Sequence, residues 1–429
     1  MRNKRFPLAS RVALAILTAV SACATVARPQ CAQAQTFTVI HSFTGGGDGS
    51  SPIGLTVDRA GTFYGMAESG GASGLGTVFR LTHQPSGWVL TPLYNFIGGS
   101  DGAHPSASTG VVIGPNGSLY GTTFYGGGSS SCGGMSCGTV FNLRPSPHTS
   151  PRVLGGWTET VLYRFAGGSD GANPTGDLIF DQAGNLYGTT YGGGGSCPAD
   201  GCGTVYELKP SGGGGWTETV LYGFTGGSDG RFPEGGVIFD KVGNLYGTTN
   251  DAGAYSGSIF QLSPSESGWT KTVLHNFQAG SDGAFPVGGL IFDSSGNLYG
   301  TTASNGLRGG GTLFELSPPG GIRTFSVLYS FICSSGCVNG PGPQASLFMD
   351  PAGNLYGTTS QDGTHGYGSV FKLTPGAVGW TYTPLHDFTG GSDGGYPYSN
   401  VVLGANGNLY GTASQGGTQG YGVVWEIMP

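Results

Sequence analysis

The chain has 429 residues, of which 87 are Gly and 25 are Pro, so about a quarter of it consists of the two residues that most disfavour helices. Yet 37% of the residues are hydrophobic, 11% are aromatic and only 10% are charged, which argues against a disordered chain and permits a core. Beyond residue 34 the chain carries 12 basic and 24 acidic residues, a balance that excludes a protein binding nucleic acid through its phosphates.

Residues 1–34 are predicted to be an export signal. Basic residues begin the chain and precede an apolar run, residues 12–20, that is too short to span a bilayer. A small-x-small pattern ending at Ala34 predicts cleavage before residue 35. Alternatively, the residues before Cys23 resemble a lipoprotein signal, which would leave that cysteine lipidated. Both alternatives predict a secreted, periplasmic or cell-surface protein, and no later run is apolar enough for a transmembrane helix.

Six cysteines follow the leader and form three close pairs. These pairs are Cys132 with Cys137, Cys197 with Cys202, and Cys333 with Cys337. We expect three local disulfides, each contributing about 2 kcal/mol in a compartment where disulfides persist. Zinc is the alternative, but no His lies near these short Cys spacings.

One motif of the type Gly-Asn-Leu-Tyr-Gly-Thr-Thr recurs along the chain. Its tyrosines are Tyr64, Tyr120, Tyr187, Tyr246, Tyr299, Tyr356 and Tyr410. The copies lie 53 to 67 residues apart, which is far longer than a β-helix rung and close to the size of a propeller blade. Seven copies therefore predict seven modules.

Each module contains four short segments rich in β-branched and aromatic residues, which we label A to D. In the third module these are residues 178–180, 185–188, 203–208 and 216–224. Residues 181–184 join A to B and read as a tight turn, with Asp181 bonding the backbone and Gly184 taking a positive φ angle. No long stretch has helical periodicity, so four antiparallel strands per module are expected.

The two ends of the chain predict how the modules are arranged. Residues 37–43 form a D segment without its A, B and C, and the chain stops after a C segment, residues 422–427. An open array would leave both as unpaired edges, whereas pairing between them would close a ring. We therefore predict an all-β fold, a seven-bladed β-propeller over residues 36–429. Six blades, with the degenerate first copy at residues 61–65 left outside, is the alternative.

These repeats resemble the GloVer tandem-repeat family of exported bacterial proteins. The resemblance is carried by the G-N-L-Y-G-T-T motif, the following G-T-V-F-x-L and the linker V-L-Y-x-F-x-G-G-S-D-G-A-x-P, over residues 36–429. It implies an extracellular or surface repeat protein whose biochemical role is open.

In such a ring, the B–C and D–A loops share one end, and these loops vary most in length. Loops that vary on a fixed scaffold are the usual place for binding, so we predict a ligand-binding face that includes Tyr125 and Tyr191. The D–A linkers also carry a recurring Asp-Gly, at Asp48, Asp101, Asp170, Asp229, Asp282 and Asp393. These carboxylates could contact sugar hydroxyls or Ca²⁺, but one carboxylate per loop is few for Ca²⁺, and a turn-forming role is favoured.

Two other recurring side chains favour packing over chemistry. A tryptophan begins segment D at Trp88, Trp157, Trp216, Trp269 and Trp380, where it could anchor the strand or stack on a sugar. His41, His275 and His386 occupy a slot that holds tyrosine in other copies, which favours a structural role.

Catalytic candidates are few. Asp177 and Glu234 are acids that break the repeat near the ring mouth, and Glu68 and Asp251 lie in B–C loops. The arginines are scattered, and no Gly-rich stretch precedes a helix as a phosphate-binding loop requires. The leading hypothesis is a non-enzymatic exported propeller without a cofactor that binds a polysaccharide or a surface protein. A Ca²⁺-assisted glycan hydrolase or lyase and a structural surface-layer component are the alternatives.

Overall fold

The structure is a computed structural model that describes residues 35–106, 109–132, 135–146, 156–195, 197, 201–318, 323–332 and 342–429. Gln35–Pro429 form one compact unit. The predicted leader, residues 1–34, lies outside the described residues and stays a prediction. Within the described ranges, no helix is long and apolar enough to cross a membrane.

Seven sheets of antiparallel strands confirm the predicted seven-bladed propeller, and each sheet has the order A-B-C-D. Blade 1 consists of Ser50–Val57, Phe63–Ser69, Thr77–Gln84 and Gly87–Asn95. Blade 2 consists of Ala103–Pro105 with Val112–Ile113, Leu119–Tyr125, Thr139–Pro145 and Trp157–Arg164. Blade 3 consists of Ala172–Pro174 with Ile179–Phe180, Leu186–Gly192, Thr204–Pro210 and Trp216–Gly223. The degenerate first copy, Phe63–Ser69, belongs to a complete four-stranded blade, so the six-blade alternative is wrong.

The remaining blades follow the same plan. Blade 4 consists of Val237–Phe239, Leu245–Thr249, Ser258–Ser265 and Gly268–Asn276. Blade 5 consists of Ile291–Phe292, Leu298–Thr302, Gly309–Leu316 and Phe325–Ile332. Blade 6 consists of Phe348–Met349, Leu355–Thr359, Ser369–Pro375 and Trp380–Asp387. Blade 7 consists of Val402–Leu403, Leu409–Ala413, Val423–Met428 and the N-terminal strand Thr36–Ser42. A 3-10 turn, Gly227–Asp229, lies in the linker before blade 4.

The A–B turns have the predicted chemistry. In blade 3 the Asp181 carboxylate accepts hydrogen bonds from the backbone N–H groups of Ala183 and Asn185, at 2.9 and 2.8 Å. Gly184 adopts a φ of 87°, in the region that favours glycine. The turn is therefore fixed by local interactions, which explains why it recurs with the motif.

The N-terminal strand lies in the same sheet as the C-terminal strand. Thr36 faces Met428 and Ser42 faces Val423, in an antiparallel pair with one bulge near Val39. The prediction placed these strands at residues 37–43 and 422–427, within one or two residues of their observed bounds.

The hydrophobic core is divided among the seams between blades. Seven buried clusters each draw side chains from two neighbouring blades, and one of them joins Tyr410 and Val424 of blade 7 to Phe79 of blade 1. At every seam a fully buried Phe after strand D meets an aromatic ring of the next blade: Phe43–Phe79, Phe96–Phe141, Phe165–Tyr206, Phe224–Phe260, Phe277–Phe314, Phe331–Phe371 and Phe388–Trp425. Single blades have little core of their own, so stability depends on the seams.

A second, backbone contact crosses the seams between a Gly of one blade and a Pro of the next. Between blades 3 and 4, the N–H of Phe232 donates to the carbonyl of Cys202 at 2.9 Å, and Phe232 has a φ of 58°. The following Pro233 lies so close to Gly203 that a Cβ on that glycine would be 2.6 Å from its Cδ. The same close approach occurs for Gly422 and Pro52, Gly76 and Pro105, Gly138 and Pro174, Gly257 and Pro286, and Gly368 and Pro397.

We expect the pairing of the two terminal strands to close the ring. Deleting residues 36–42 should lower the melting temperature by at least about 5 °C, because it exposes the edge of Val423–Met428 and removes Phe37 from the core at the blade 6–7 seam. Differential scanning calorimetry of this deletion, against a chain that begins at residue 36, checks the prediction. Equal melting temperatures would contradict ring closure by this strand.

Gly203→Ala should destabilise the protein by more than the cost of placing an alanine at a positive φ angle. The φ of 88° costs about 1–2 kcal/mol for alanine, and the contact with Pro233 adds about 1–3 kcal/mol of overpacking. Gly213→Ala is the matched control, since its φ is 102° but its Cβ would meet open space, and Gly212→Ala lacks both effects. Chemical denaturation should show the largest loss of stability for Gly203→Ala, a smaller loss for Gly213→Ala and the smallest for Gly212→Ala. A different order would argue against the seam contact.

Candidate functional site

The D–A linkers and B–C loops meet at one end of the ring, which we call the loop face. In blade 3 the N–H of Gly194, in the B–C loop, donates to the carbonyl of Gly168 in the preceding linker at 2.9 Å. Equivalent bonds join Gly71 to Gly46, Gly306 to Gly280 and Gly417 to Gly391. In these four blades, the B–C loop is therefore hydrogen-bonded to the linker that precedes the blade.

The recurring linker aspartates fasten their own turns. The Asp170 carboxylate accepts a hydrogen bond from the Tyr163 hydroxyl at 3.0 Å and another from the backbone N–H of Ala166 at 2.8 Å. The same two contacts, from a Tyr or His seven residues earlier and from a backbone N–H four residues earlier, recur at Asp48, Asp101, Asp229, Asp282 and Asp393. This geometry favours the turn-forming role. Among the described residues, no group of three or more His, Cys, Asp or Glu could hold a metal ion.

The histidines in the tyrosine slot bond the same aspartates. His41, His275 and His386 lie 3.2, 3.2 and 3.1 Å from the carboxylates of their partners. Burial lowers the pKa of each imidazole, although the neighbouring carboxylate opposes the shift. Because histidine here does what tyrosine does in other blades, these residues are part of the scaffold.

The tryptophans also pack at seams. Trp157 meets Tyr64 of the preceding blade edge to face at 6.3 Å, and the pairs Trp216–Tyr120, Trp380–Tyr299 and Trp88–Tyr410 repeat that contact. The packing role that the sequence favoured for these residues is thus the one they have here.

Two glutamates at seams were not singled out from the sequence. Glu159 and Glu218 follow Trp157 and Trp216 by two residues, and each has a buried Oε1 atom without a hydrogen-bond partner. Burial, together with the Asp101 carboxylate, raises the pKa of Glu159 to about 7, against the opposing effect of Arg164. Burial and the Asp170 carboxylate likewise raise the pKa of Glu218 to about 7. In blade 4 the same position holds Lys271, whose Nζ lies 3.0 Å from Asp229.

A cavity of about 530 Å³ opens on the loop face between blades 3 and 6, and we call it the mouth cavity. It is lined by Tyr191, Phe232, Glu234, Asn250, Asp251, Phe285, Val287, Ala303, Ser304 and Gln344. Three residues predicted from the sequence, Tyr191, Glu234 and Asp251, lie here. The others occupy positions where the seven copies differ, after the paired threonines and on either side of the linker proline, and this divergence is the signal that could have identified them.

The polar end of the mouth cavity is built around Glu234. The side-chain amide of Asn250 donates to Glu234 Oε1 at 2.6 Å, while Asn250 Oδ1 is buried without a hydrogen-bond partner. Burial raises the pKa of Glu234, and the hydrogen bond from Asn250 opposes that shift. Asp251 is paired with Arg231 at 2.7 Å. A part-buried acid and a buried amide oxygen without a hydrogen-bond partner therefore lie side by side.

Phe232 and Phe285 are held in a conformation that is rare for bulky residues. Both have a φ of 58°, and both donate their backbone N–H across a seam, to Cys202 at 2.9 Å and to Ser256 at 2.8 Å. As a result the Phe232 ring stacks on Tyr191, with centroids 4.3 Å apart and an interplanar angle of 6°. Phe285 stays 42% exposed.

Tyr191 is also part of a longer series of rings. His104 meets Tyr125 at 5.7 Å, Tyr125 meets Phe124 at 4.7 Å, and Phe124 meets Tyr191 at 6.4 Å. We call these residues, with Phe232, the aromatic arc. It runs across blades 2, 3 and 4 and ends at the mouth cavity, and it includes both tyrosines predicted from the sequence.

The second catalytic candidate, Asp177, has a different setting. Its carboxylate accepts hydrogen bonds from the N–H of Thr109 at 3.0 Å and from the Ser346 hydroxyl at 3.2 Å. These partners belong to blades 2 and 6, so Asp177 ties distant blades together near the ring axis. It is not one of the described residues lining the mouth cavity, and the two candidate acids are not gathered into one cavity. The predicted loop position of Glu68 is wrong: it lies near the end of strand Phe63–Ser69, where its side chain is exposed.

A larger depression, of about 800 Å³, lies at the opposite end of the ring between blades 5 and 6. Its walls include Phe292, Tyr299, Phe348 and Trp380. Its two acids, Asp293 and Asp350, are each held in an A–B turn by bonds from the turn backbone and from an asparagine side chain four residues later. We place the candidate site at the mouth cavity because, of the described lining residues of these two cavities, only Glu234 is a part-buried acid beside a buried polar atom without a hydrogen-bond partner.

Two predicted disulfides are present, Cys132–Cys137 and Cys197–Cys202, with Cα atoms 5.3 and 5.6 Å apart. They fasten the B–C loops of blades 2 and 3, on the loop face. The predicted pair Cys333 and Cys337 lies outside the described residues.

The sequence profile of the Gloeobacter/Verrucomicrobia repeat family matches residues 24–195, 131–337 and 256–429. These matches cover most of the chain, which therefore belongs to this family of β-propeller repeat proteins. A comparison with curated proteins finds no match.

Solved structures are similar to this chain at low sequence identity. A puromycin-hydrolysing peptidase of Mycobacterium tuberculosis is 9% identical with a TM-score of 0.51, over 88% of this chain and 52% of the peptidase. A gluconolactonase of Xanthomonas campestris is 12% identical, with a TM-score of 0.43 over 92% and 89% of the two chains. An aldose sugar dehydrogenase of Streptomyces coelicolor is 11% identical, with a TM-score of 0.41 over 92% and 98%. At these identities the likeness concerns the fold alone.

The seam glutamates predict a pH-dependent stability. Because the pKa of each is near 7 in the folded state and about 4.5 otherwise, the folded state binds more protons, and stability should fall as pH rises between these values. The double variant Glu159→Gln, Glu218→Gln should gain stability relative to the wild type over that interval and keep the gain above it. Thermal melts across the pH range, with the exposed Glu266→Gln as control, test this, and parallel curves for all proteins would contradict it.

Proposed function

We propose that this protein is an exported, non-enzymatic propeller that binds a glycan on its loop face. The observation that carries the proposal is the aromatic arc ending at the mouth cavity. Aromatic faces contact the apolar faces of sugar rings, and a few polar groups fix orientation and specificity, which is the usual composition of a small-ligand site.

The length of the arc supports a chain of sugars over a single one. Its ring contacts extend from His104 in blade 2 to Phe232 in blade 4, with neighbouring centroids 4.3 to 6.4 Å apart. The rings are partly buried, so each presents part of its surface on a rigid support. An extended ligand could use several of these surfaces at once, and weak individual contacts would then sum to useful affinity.

Export is supported by two features outside the arc. The leader pattern of residues 1–34 predicts secretion, and the disulfides of blades 2 and 3 suit an oxidising compartment. In such a compartment a polysaccharide of the cell surface or of the environment is an available partner. Attachment through a lipid on Cys23 is compatible with this function.

The glycan-hydrolase alternative is less well supported. Glycosidases need two carboxyl groups flanking the scissile bond, and of the two acids lining the mouth cavity, Asp251 is engaged by Arg231 at 2.7 Å. Asp177 bonds Thr109 and Ser346 instead. If the protein released reducing sugars from a bound glycan and Glu234→Gln abolished that activity, the hydrolase would replace the binding function.

Tyr191→Ala should weaken binding to the preferred glycan about tenfold, because it removes the ring that joins the arc to the mouth cavity. Tyr191→Phe keeps the ring and should bind within about twofold of the wild type, allowing for loss of the hydroxyl. Isothermal titration calorimetry against soluble polysaccharides measures both, with Val378→Ala at a 98% exposed site as surface control. Unchanged affinity in Tyr191→Ala, or no glycan binding by the wild type, would contradict the proposal.

A further inference from the structure

The polar end of the mouth cavity centres on an acceptor, the Glu234 carboxylate. The side-chain amide of Asn250 donates to Glu234 Oε1 at 2.6 Å, and no other hydrogen bond to this carboxylate is seen among the described residues. An ionised carboxylate accepts hydrogen bonds only, and its two oxygens have capacity for more than one donor. A ligand group that satisfies this corner must therefore donate hydrogen bonds.

Positive charge from the protein does not balance this corner. The described lining residues include no Lys or Arg, and the nearby Arg231 bonds Asp251 at 2.7 Å and lies 4.9 Å from the centre of the Phe232 ring. The chain beyond the leader is also strongly acidic. A cationic group entering the cavity would therefore meet a favourable potential, whereas a carboxylate or sulfate would be repelled.

Apolar rings complete the surroundings. Phe285 is 42% exposed and lines the cavity with Val287, on the side away from the stacked rings of Tyr191 and Phe232. Ring faces bind the apolar face of a sugar and also attract ammonium groups. A flat ring that carries a positively charged donor matches both features.

We propose that the mouth cavity is selective for an amino sugar, whose protonated amino group donates hydrogen bonds to the Glu234 carboxylate. This inference rests on the proposed glycan-binding function and names the unit that the cavity takes. The ring of that sugar lies against Phe285 or Phe232, and the neighbouring units of the same chain follow the aromatic arc. The amino group thereby supplies donors to the carboxylate, and its charge pairs with it.

The test compares three oligosaccharides of equal length: the β-1,4 hexamers of glucosamine, N-acetylglucosamine and glucose. By calorimetry near neutral pH, the glucosamine hexamer should bind at least about tenfold more tightly than the glucose hexamer, as a charge-assisted hydrogen bond requires. Glu234→Gln should remove most of that preference, so that the glucosamine and glucose hexamers bind with similar affinity.

Two controls separate a local effect from general attraction between a cation and an acidic protein. Glu266→Gln removes one exposed acid in the C–D turn of blade 4, at the opposite end from the loop face, and should keep the preference. Competition by free glucosamine against glucose in the wild-type protein gives a measurement that does not depend on any variant folding. It should show the same order of preference.

The outcomes distinguish the two proposals. Equal affinity for all three hexamers, or a preference that survives Glu234→Gln in a folded protein, would overturn amino-sugar selectivity while glycan binding stands. A preference lost equally in Glu266→Gln would reduce it to net charge and would also overturn it. If no oligosaccharide or polysaccharide binds, the proposed function itself fails.

Discussion

At six of the seven seams, the packing of neighbouring blades depends on a contact between a glycine of one blade and a proline of the next. The proline ring occupies the space that a Cβ would take, as at Gly203 and Pro233, and the residue before the proline donates its N–H to the preceding blade. This brings the backbones close enough for the seam aromatics to meet, as in Phe224 and Phe260 at 5.3 Å. The high glycine content therefore reflects in part the close packing between blades.

The seams use a small set of residue types. Side chains that differ between blades, and that could bind a ligand, are therefore found at positions outside the seam contacts. Asn250 and Tyr191 stand at the same position of two blades, directly after the paired threonines, and Glu234 and Val287 both follow a linker proline. None of these positions carries the Gly–Pro contact itself. The repeat thus divides the chain into a scaffold that must recur and a ring of sites at the mouth that is free to vary.

Much of the fold could be predicted from the sequence because its determinants are local. The Asp181 turn is closed within four residues, and the missing strands at the chain ends indicated their shared sheet. The site was predicted only in part, since its contacts join residues far apart in the chain. Asp177 bonds Ser346 across 169 residues, and no pattern within a repeat indicates that partner. The same limit applies to Glu159, whose burial depends on a neighbouring blade.

The residue before each linker proline connects the scaffold to the site. Phe232 at a φ of 58° carries a backbone strain of about 1–2 kcal/mol, which persists because its N–H bond to Cys202 and the fit of Pro233 over-determine the conformation. The same conformation sets its ring on Tyr191 at 4.3 Å before any ligand arrives. A ring pair fixed in advance loses little conformational entropy on binding, so the seam that holds the blades together also preorganises the surface on which a sugar would stack.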